Sequence, residues 1–189
     1  MEKIEIIGET IFTISDVLSA EECQQFIMKS EDNGYDEAPI STLGGFVMRK
    51  DVRNNTRAMF DDNPVVEMLW DRVKAFIPNH VRGCTPAGLN ERIRYYKYDI
   101  EQYFAWHYDG CFRRNEQEQS FLTFMIYLND KFEGGETNFD LRYPHGLITI
   151  KPKKGMALVF DHYLLHEGAS VIKGRKYVLR SDVMYKRDS

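Results

Sequence analysis

The spacing of apolar residues along the chain changes character near Asn90. Upstream, Cys23, Phe26 and Ile27 recur at intervals of three and one, and Val65, Val66, Leu69, Val73 and Phe76 follow the same helical face rule. Ser19 opens the first of these segments, with Glu22 three residues later as the partner of a capping box, and the segment runs toward Ser30. The second is read with Asn63 as its cap, Pro64 at its first helical position and Pro78 closing it. Both predict helices that pack one face against a core.

Downstream, β-prone runs take over: Arg92 to Tyr98, Ser120 to Leu128, Leu147 to Ile150, Ala157 to Phe160 and Lys176 to Met184. Gly134-Gly135, Pro144-His145-Gly146, Lys154-Gly155 and Lys173-Gly174 punctuate them as turns. Helices first and short strands afterwards predict an α+β, mainly β architecture, with a helix layer packed on a β-sandwich or barrel. Residues 1–89 are expected to be mostly helical support and residues 90–186 the β core. The polar stretch from Ser41 to Asp62 reads as a loop long enough to act as a lid or substrate-binding arm.

The length of 189 residues suits one domain, 1–189, with a sizeable core. No apolar run is long enough to span a bilayer, and the opening Met1-Glu2-Lys3-Ile4-Glu5 carries no signal-peptide pattern. Cys23, Cys84 and Cys111 are odd in number and far apart, which predicts free thiols and a cytoplasmic home. The formal net charge of -4 lacks the basic excess of a duplex-binding surface, so no nucleic-acid partner and no membrane partner are expected. Arg113-Arg114 and the run Lys151 to Lys154 are the local basic exceptions.

Chemistry concentrates in His107-Tyr108-Asp109 and in the later run Leu164-Leu165-His166-Glu167-Gly168. On a strand, side chains alternate, so His107 and Asp109 share one face while Tyr108 takes the other. With His166 brought alongside by folding, two imidazoles and a carboxylate make a facial set suited to Fe(II), leaving neighbouring positions for a chelating keto acid and for O₂. His162 and His166 stand four apart, a spacing that suits zinc on a helix. No Glu follows His162, however, and the preceding residues read as a strand.

A dicarboxylate such as 2-oxoglutarate also needs a cation for its far end. The final strand offers Arg175, Lys176 and Arg180. Alternation places Lys176, Val178 and Arg180 on one face, taken as inward, and Arg175, Tyr177 and Leu179 on the other. Tyr98 ends an earlier strand whose face it shares with Arg94 and Tyr96. Tyr127 shares a face with Thr123 and Met125, and a buried phenol there needs a partner.

These stretches resemble the iron(II)- and 2-oxoglutarate-dependent dioxygenases of the prolyl 4-hydroxylase type. The likeness is close from Asn90 to Tyr185. It is carried by Tyr98 to Asp109, Thr123 to Asn129, Gly134 to Phe139, Lys151 to Gly155 and His166 to Arg180, and Ile14 to Cys23 resembles the family's first helix entry. The resemblance implies a double-stranded β-helix, or jelly roll. It implies iron held by His107, Asp109 and His166, and 2-oxoglutarate anchored by Lys176 with Tyr127, with Tyr98 lining its pocket and Arg180 as the second inward cation. O₂ is the implied co-substrate and ascorbate a candidate reductant. Halogenating relatives carry a small residue where Asp109 stands, so the chain is expected to hydroxylate. The family often has glycine where Glu101 stands.

The expected reaction is hydroxylation of an unactivated C–H, with a prolyl or other residue of a protein or peptide as the leading substrate. A free amino acid or small metabolite is the alternative. A non-catalytic jelly-roll binding module is the reading from another class. Arg94, Tyr96, Trp106, Arg53 and Arg57 are the candidate substrate contacts.

Overall fold

Ser19 caps the first helix by the box its sequence predicts. Its hydroxyl accepts the Glu22 amide at 3.1 Å, and the Glu22 carboxylate accepts the Ser19 amide at 2.9 Å. The computed structural model in which this is seen describes residues 1–42, 44–142 and 144–187. Leu43, within the segment expected as a lid, lies outside the described residues.

Helix α1 (Ala20–Asn33) buries Cys23 and Phe26, and α2 (Asn63–Val73) buries Val66, Leu69 and Val73. The cap of α2 is Asp62 rather than Asn63: the Asp62 carboxylate accepts the Val65 amide at 3.4 Å. Asn63 is therefore the first helical residue, and a short 3-10 turn (Lys74–Phe76) ends the segment before Pro78. Arg72 on α2 bridges to Glu22 at the start of α1 at 2.6 Å, which ties the two helices at one end.

The strands are β1 (Lys3–Ile7), β2 (Ile11–Ile14), β3 (Asp36–Glu37), β4 (Ile40–Thr42), β5 (Gly45–Val47), β6 (Thr56–Asp61), β7 (Cys84–Leu89), β8 (Arg92–Tyr98) and β9 (Phe104–His107). They continue as β10 (Glu118–Tyr127), β11 (Glu133–Gly134), β12 (Thr137–Asp140), β13 (Leu147–Ile150), β14 (Ala157–Asp161), β15 (His166–Gly168), β16 (Val171–Lys173) and β17 (Lys176–Arg187). A large antiparallel sheet runs in the order β1-β2-β14-β10-β17-β8-β6-β3, with β7 also paired to β17. A small sheet runs β13-β12-β15-β9. The two sheets form the jelly roll.

Residues 1–89 are thus not mostly helical. They supply β1, β2, β3, β6 and β7 to the large sheet; Ile11 to Ile14 and Cys84 to Leu89 are short runs without clean alternation, whose strand character comes from their neighbours across the sheet. The expected loop from Ser41 to Asp62 is also corrected. Thr56–Asp61 is a full strand beside β8, and Val52 to Asn54 is docked along β9. There Ala105 donates to the Val52 carbonyl at 2.8 Å and Tyr103 to the Asn54 side chain at 2.8 Å. Only the β4–β5 hairpin remains as a projecting arm.

Alternation along β17 feeds two cores. Tyr177, Leu179 and Val183 join Phe12, Leu69, Ile93 and Phe124 beneath the helices. Val178 joins Tyr98, Tyr127, Phe139, Leu158 and Phe160 between the two sheets. Each fully buried large apolar side chain stabilises by about 1.5–3 kcal/mol, so both layers favour one register for β17. Among the described residues no helix is long and apolar enough to cross a membrane.

Candidate active site

His107 is the last residue of β9, and His166, the first of β15, lies directly opposite it in the small sheet. Asp109 lies two residues beyond the end of β9. Alternation persists there, since Tyr108 is exposed while Asp109 is buried. The candidate donor atoms of the three side chains all lie within 4.8 Å of one another. Asp109 Oδ1 is 3.7 Å from His107 Nε2, and Asp109 Oδ2 is 3.5 Å from His166 Nε2.

Local backbone fixes both imidazoles. His107 Nδ1 donates to the Ala105 carbonyl at 2.7 Å and His166 Nδ1 to the Leu164 carbonyl at 2.9 Å. With the proton on Nδ1, each Nε2 presents its lone pair to the common centre, as a metal ligand requires. Phe104 stacks on the His107 ring at 3.5 Å between centroids, and Phe160 meets the His166 ring edge-on at 4.6 Å. Burial pushes His166 down to about 4, so it stays neutral at ordinary pH. Burial alone would raise the Asp109 carboxyl, but Arg180 and the two histidines overrule it and hold it well below the usual carboxylate range.

The cavity beside this triad is closed at its far end by Lys176. Its side chain is 2 % exposed, and its Nζ donates to the Gly135 carbonyl at 2.6 Å. Lys176 makes no ion pair among the described residues, and burial pushes its ammonium down to about 7. Glu136 offsets part of the burial from a distance, but a buried cation with no ion pair is costly, and an incoming carboxylate reduces that cost. Its ammonium lies 5.0 Å from the Tyr98 ring centroid and 5.6 Å from that of Tyr127. Tyr98 lines the cavity. Tyr127 sits behind Lys176, with its hydroxyl bonded to Thr137 Oγ1 at 2.7 Å. A Cβ on Gly135 would come within 3.2 Å of Lys176 Cδ, so glycine there leaves room for the lysine stem.

Arg180 lines the same cavity. Its Nη1 meets Asp109 Oδ1 at 2.8 Å, and its buried Nε has no hydrogen-bond partner among the described residues. The donor set fits Fe(II): two neutral imidazoles and one carboxylate, with open space on one side. The lone buried Lys176 and the orphaned Arg180 Nε fit the carboxylates of 2-oxoglutarate.

The five candidate substrate contacts do not form one group. Tyr96 lines the cavity, and the guanidiniums of Arg180, Arg53 and Arg94 pull its phenol down against the effect of burial. Arg94 is engaged with Asp182 at 3.0 Å. Arg53 is buried, with its guanidinium 4.5 Å from the ring centroids of both Tyr96 and Phe104. Arg57 is half-buried opposite Tyr96 in the register of β6 and β8, and Trp106 is exposed on β9. Sequence reasoning missed Thr123 and His162 as neighbours of the triad. Thr123 Oγ1 donates to Asp109 Oδ2 at 2.5 Å, and His162 Nδ1 stands 3.0 Å from Thr123 Oγ1. The shared face of Thr123, Met125 and Tyr127 was the available signal for Thr123. His162 carried none apart from its zinc-like spacing, and it faces away from the ligand set.

Residues 93–181 match the family model of the 2OG-Fe(II) oxygenase superfamily. A putative prolyl 4-hydroxylase of Acanthamoeba polyphaga mimivirus is 26% identical over 187 residues, covering 88% of this chain and 71% of the relative. Prolyl 4-hydroxylase 1 of Arabidopsis thaliana is 26% identical over 194 residues, covering 88% of this chain and 66% of the relative. Among solved structures, a viral collagen prolyl hydroxylase from Paramecium Bursaria Chlorella virus-1, in its 2OG complex, superposes with a TM-score of 0.67. It has 24% sequence identity over 94% of this chain and 97% of that one. A Trichoplax adhaerens prolyl hydroxylase, in complex with a hypoxia inducible factor peptide fragment, gives a TM-score of 0.72 at 15% identity, over 93% of this chain and 83% of that one. The last two likenesses speak for the jelly roll alone. Taken with the family match over residues 93–181 and the His107–Asp109–His166 cluster, the comparisons support a 2OG-Fe(II) oxygenase of the prolyl 4-hydroxylase type.

Proposed function

We propose that this chain hydroxylates an unactivated C–H of a prolyl or other residue in a protein or peptide. The observation that carries the reading is one cavity lined both by a three-donor cluster and by the buried ammonium of Lys176, which makes no ion pair among the described residues. His107, Asp109 and His166 would hold Fe(II). Lys176 would take the far carboxylate of 2-oxoglutarate, and Arg180 would stand beside the metal-proximal end. When bound, iron, 2-oxoglutarate and O₂ supply the oxidising chemistry, with succinate and CO₂ as co-products. The protein orients the two reactants, and the apolar walls of Phe104, Val178 and Phe160 exclude water.

A peptide substrate is supported by the prolyl 4-hydroxylase relatives. Val47 and Met48 at the β4–β5 hairpin and Trp106 on β9 are exposed apolar side chains. All three cysteines are free, with Cys111 exposed, which suits a reducing compartment such as the cytoplasm.

The test is an anaerobic titration with Fe(II) and then 2-oxoglutarate, followed in visible absorption for the band of a chelated keto acid. Succinate release is then measured with proline-containing peptides and with free amino acids. The band is expected in wild type and lost in Asp109→Ala. A folded protein that gives no band sinks the proposal and leaves a binding module. A band with turnover of free amino acids alone replaces the peptide substrate.

A further inference from the structure

From Asp109 a chain of hydrogen bonds runs through Thr123, which also lines the cavity, to His162 and Ser120, which do not. Asp109 Oδ2 faces Thr123 Oγ1 at 2.5 Å. Thr123 Oγ1 faces His162 Nδ1 at 3.0 Å, His162 Nε2 faces Ser120 Oγ at 2.8 Å, and Ser120 Oγ faces the Phe112 amide at 2.9 Å. Ser120, Thr123 and His162 are each no more than 1 % exposed.

Donor and acceptor chemistry leaves one solution. A carboxylate oxygen only accepts, so the single Thr123 hydroxyl proton points to Asp109. Thr123 Oγ1 must then accept from His162, which puts a proton on Nδ1. Neutral imidazole carries one proton, so Nε2 is bare and takes the Ser120 hydroxyl proton. Ser120 Oγ in turn accepts the Phe112 N–H, which can only donate. Arg180 Nη2 adds a second donor to Thr123 Oγ1 at 3.4 Å. The backbone pins the histidine as well: its carbonyl accepts the Asp109 amide at 3.1 Å, and its amide donates to the Phe121 carbonyl at 3.0 Å.

Resting on the reading of Asp109 as a metal ligand, we propose that His162 is a positioning residue, held as its Nδ1–H tautomer, that orients the Asp109 carboxylate through Thr123. The same chain ties the ligand to the Phe112 amide, in the polar stretch that follows Asp109. Ser120 and His162 thereby convert the seating of that stretch into the aim of a ligand oxygen. Groups that orient a metal ligand from behind typically alter metal affinity by about 10–100-fold when removed.

Two measurements test this. The first is the tautomer in metal-free protein, read by long-range ¹H–¹⁵N correlation on histidine-labelled material, with the His162 signals assigned by their loss in His162→Asn. A protonated Nδ1 with a bare Nε2 is expected. The Nε2–H tautomer or an imidazolium at neutral pH overturns the proposal. The second is the affinity for Mn(II), a redox-stable stand-in, measured by electron paramagnetic resonance of the free ion alongside circular dichroism. His162→Leu and Thr123→Val are expected to bind about 10–100-fold more weakly. His162→Asn, which can still offer an N–H to Thr123, and Thr123→Ser are expected to recover most of the loss. Unchanged affinity in a folded His162→Leu or Thr123→Val overturns the proposal, and if the leucine variant fails to fold, the threonine pair decides. Asp109→Ala is the control: wild-type affinity there indicts the metal site itself, whereas its loss with intact His162→Leu binding indicts only the positioning role.

Discussion

Arg180 Nη1 lies 2.8 Å from Asp109 Oδ1, which sets a guanidinium directly on the carboxylate of the candidate metal centre. Both side chains are buried, and a second carboxylate, Asp182, approaches Arg180 Nη2 at 3.4 Å. Arg180 neutralises Asp109 in the metal-free protein and would share that carboxylate with a bound metal.

Arg180→Met leaves the buried Asp109 carboxylate without its partner. The expected cost in metal-free protein is about 3–5 kcal/mol, the range for breaking a buried ion pair. A divalent cation should replace part of the lost charge. Thermal melting in a chelator and in Mn(II) is expected to show a lower Tm in the variant and a larger rise with metal than in wild type. Equal metal-induced rises would mean that Arg180 does not compensate Asp109.

Lys176 predicts a pH dependence with a definite sign. Burial pushes its folded value down to about 7, whereas an unfolded lysine keeps the ordinary value near 10.4. Between those limits the unfolded chain holds the extra proton, so stability of the cofactor-free protein rises with pH across that window. A carboxylate bound at Lys176 would favour the ammonium, so 2-oxoglutarate binding is expected to take up a proton there and to weaken as pH rises. Calorimetry in buffers of different ionisation heat should detect the uptake at pH 8. Lys176→Met is expected to abolish it and to weaken binding by roughly 10–100-fold, the scale of a lost charge-assisted hydrogen bond.

Glu101 stands where the family often has glycine, and it holds the left-handed conformation that glycine favours, with φ of 66°. Its amide donates to the Val171 carbonyl at 2.8 Å, which fixes the turn just before β9. Left-handed backbone costs an L residue about 1–2 kcal/mol, and glycine loses about 0.5–1 kcal/mol more entropy on folding. Glu101→Gly is therefore expected to stabilise the fold by up to about 1 kcal/mol, read in urea denaturation, with metal affinity unchanged.

Docking of Val52 to Asn54 along β9 confines any substrate-linked closure to the β4–β5 hairpin and its stem. Trypsin is expected to cut at Arg49 and Lys50, which are exposed, and to spare Arg53, which is buried. Metal, 2-oxoglutarate and a turned-over peptide together should slow the cuts at Arg49 and Lys50. Cleavage there that ignores substrate would remove the hairpin from the substrate-binding surface.

The metal triad and the inward face of β17 were legible because strand alternation is a local rule. His107 with Asp109, and Lys176 with Arg180, needed no knowledge of distant partners. The helices were legible from their caps and spacing, with Asp62 displacing Asn63 by one residue. Strands β2 and β7 were not, because short, fully buried or glycine-bearing runs lack alternation and acquire their meaning only from a neighbour across the sheet. Arg53 illustrates a third case. Its sequence neighbourhood is polar and loop-like, yet two aromatic rings from β8 and β9 bury its guanidinium.

The two ends of the cavity belong to different sheets. His107 and His166 belong to the small sheet, whereas Lys176 is on β17 near the middle of the large one. Phe139, Ile150 and Val178 fill the layer between. The thickness of that layer therefore works as a caliper on the acid that can bridge metal and lysine. Choice of co-substrate length is then written into the packing of the sandwich, at Phe139 and Ile150 outside the cavity lining as well as at Val178 within it.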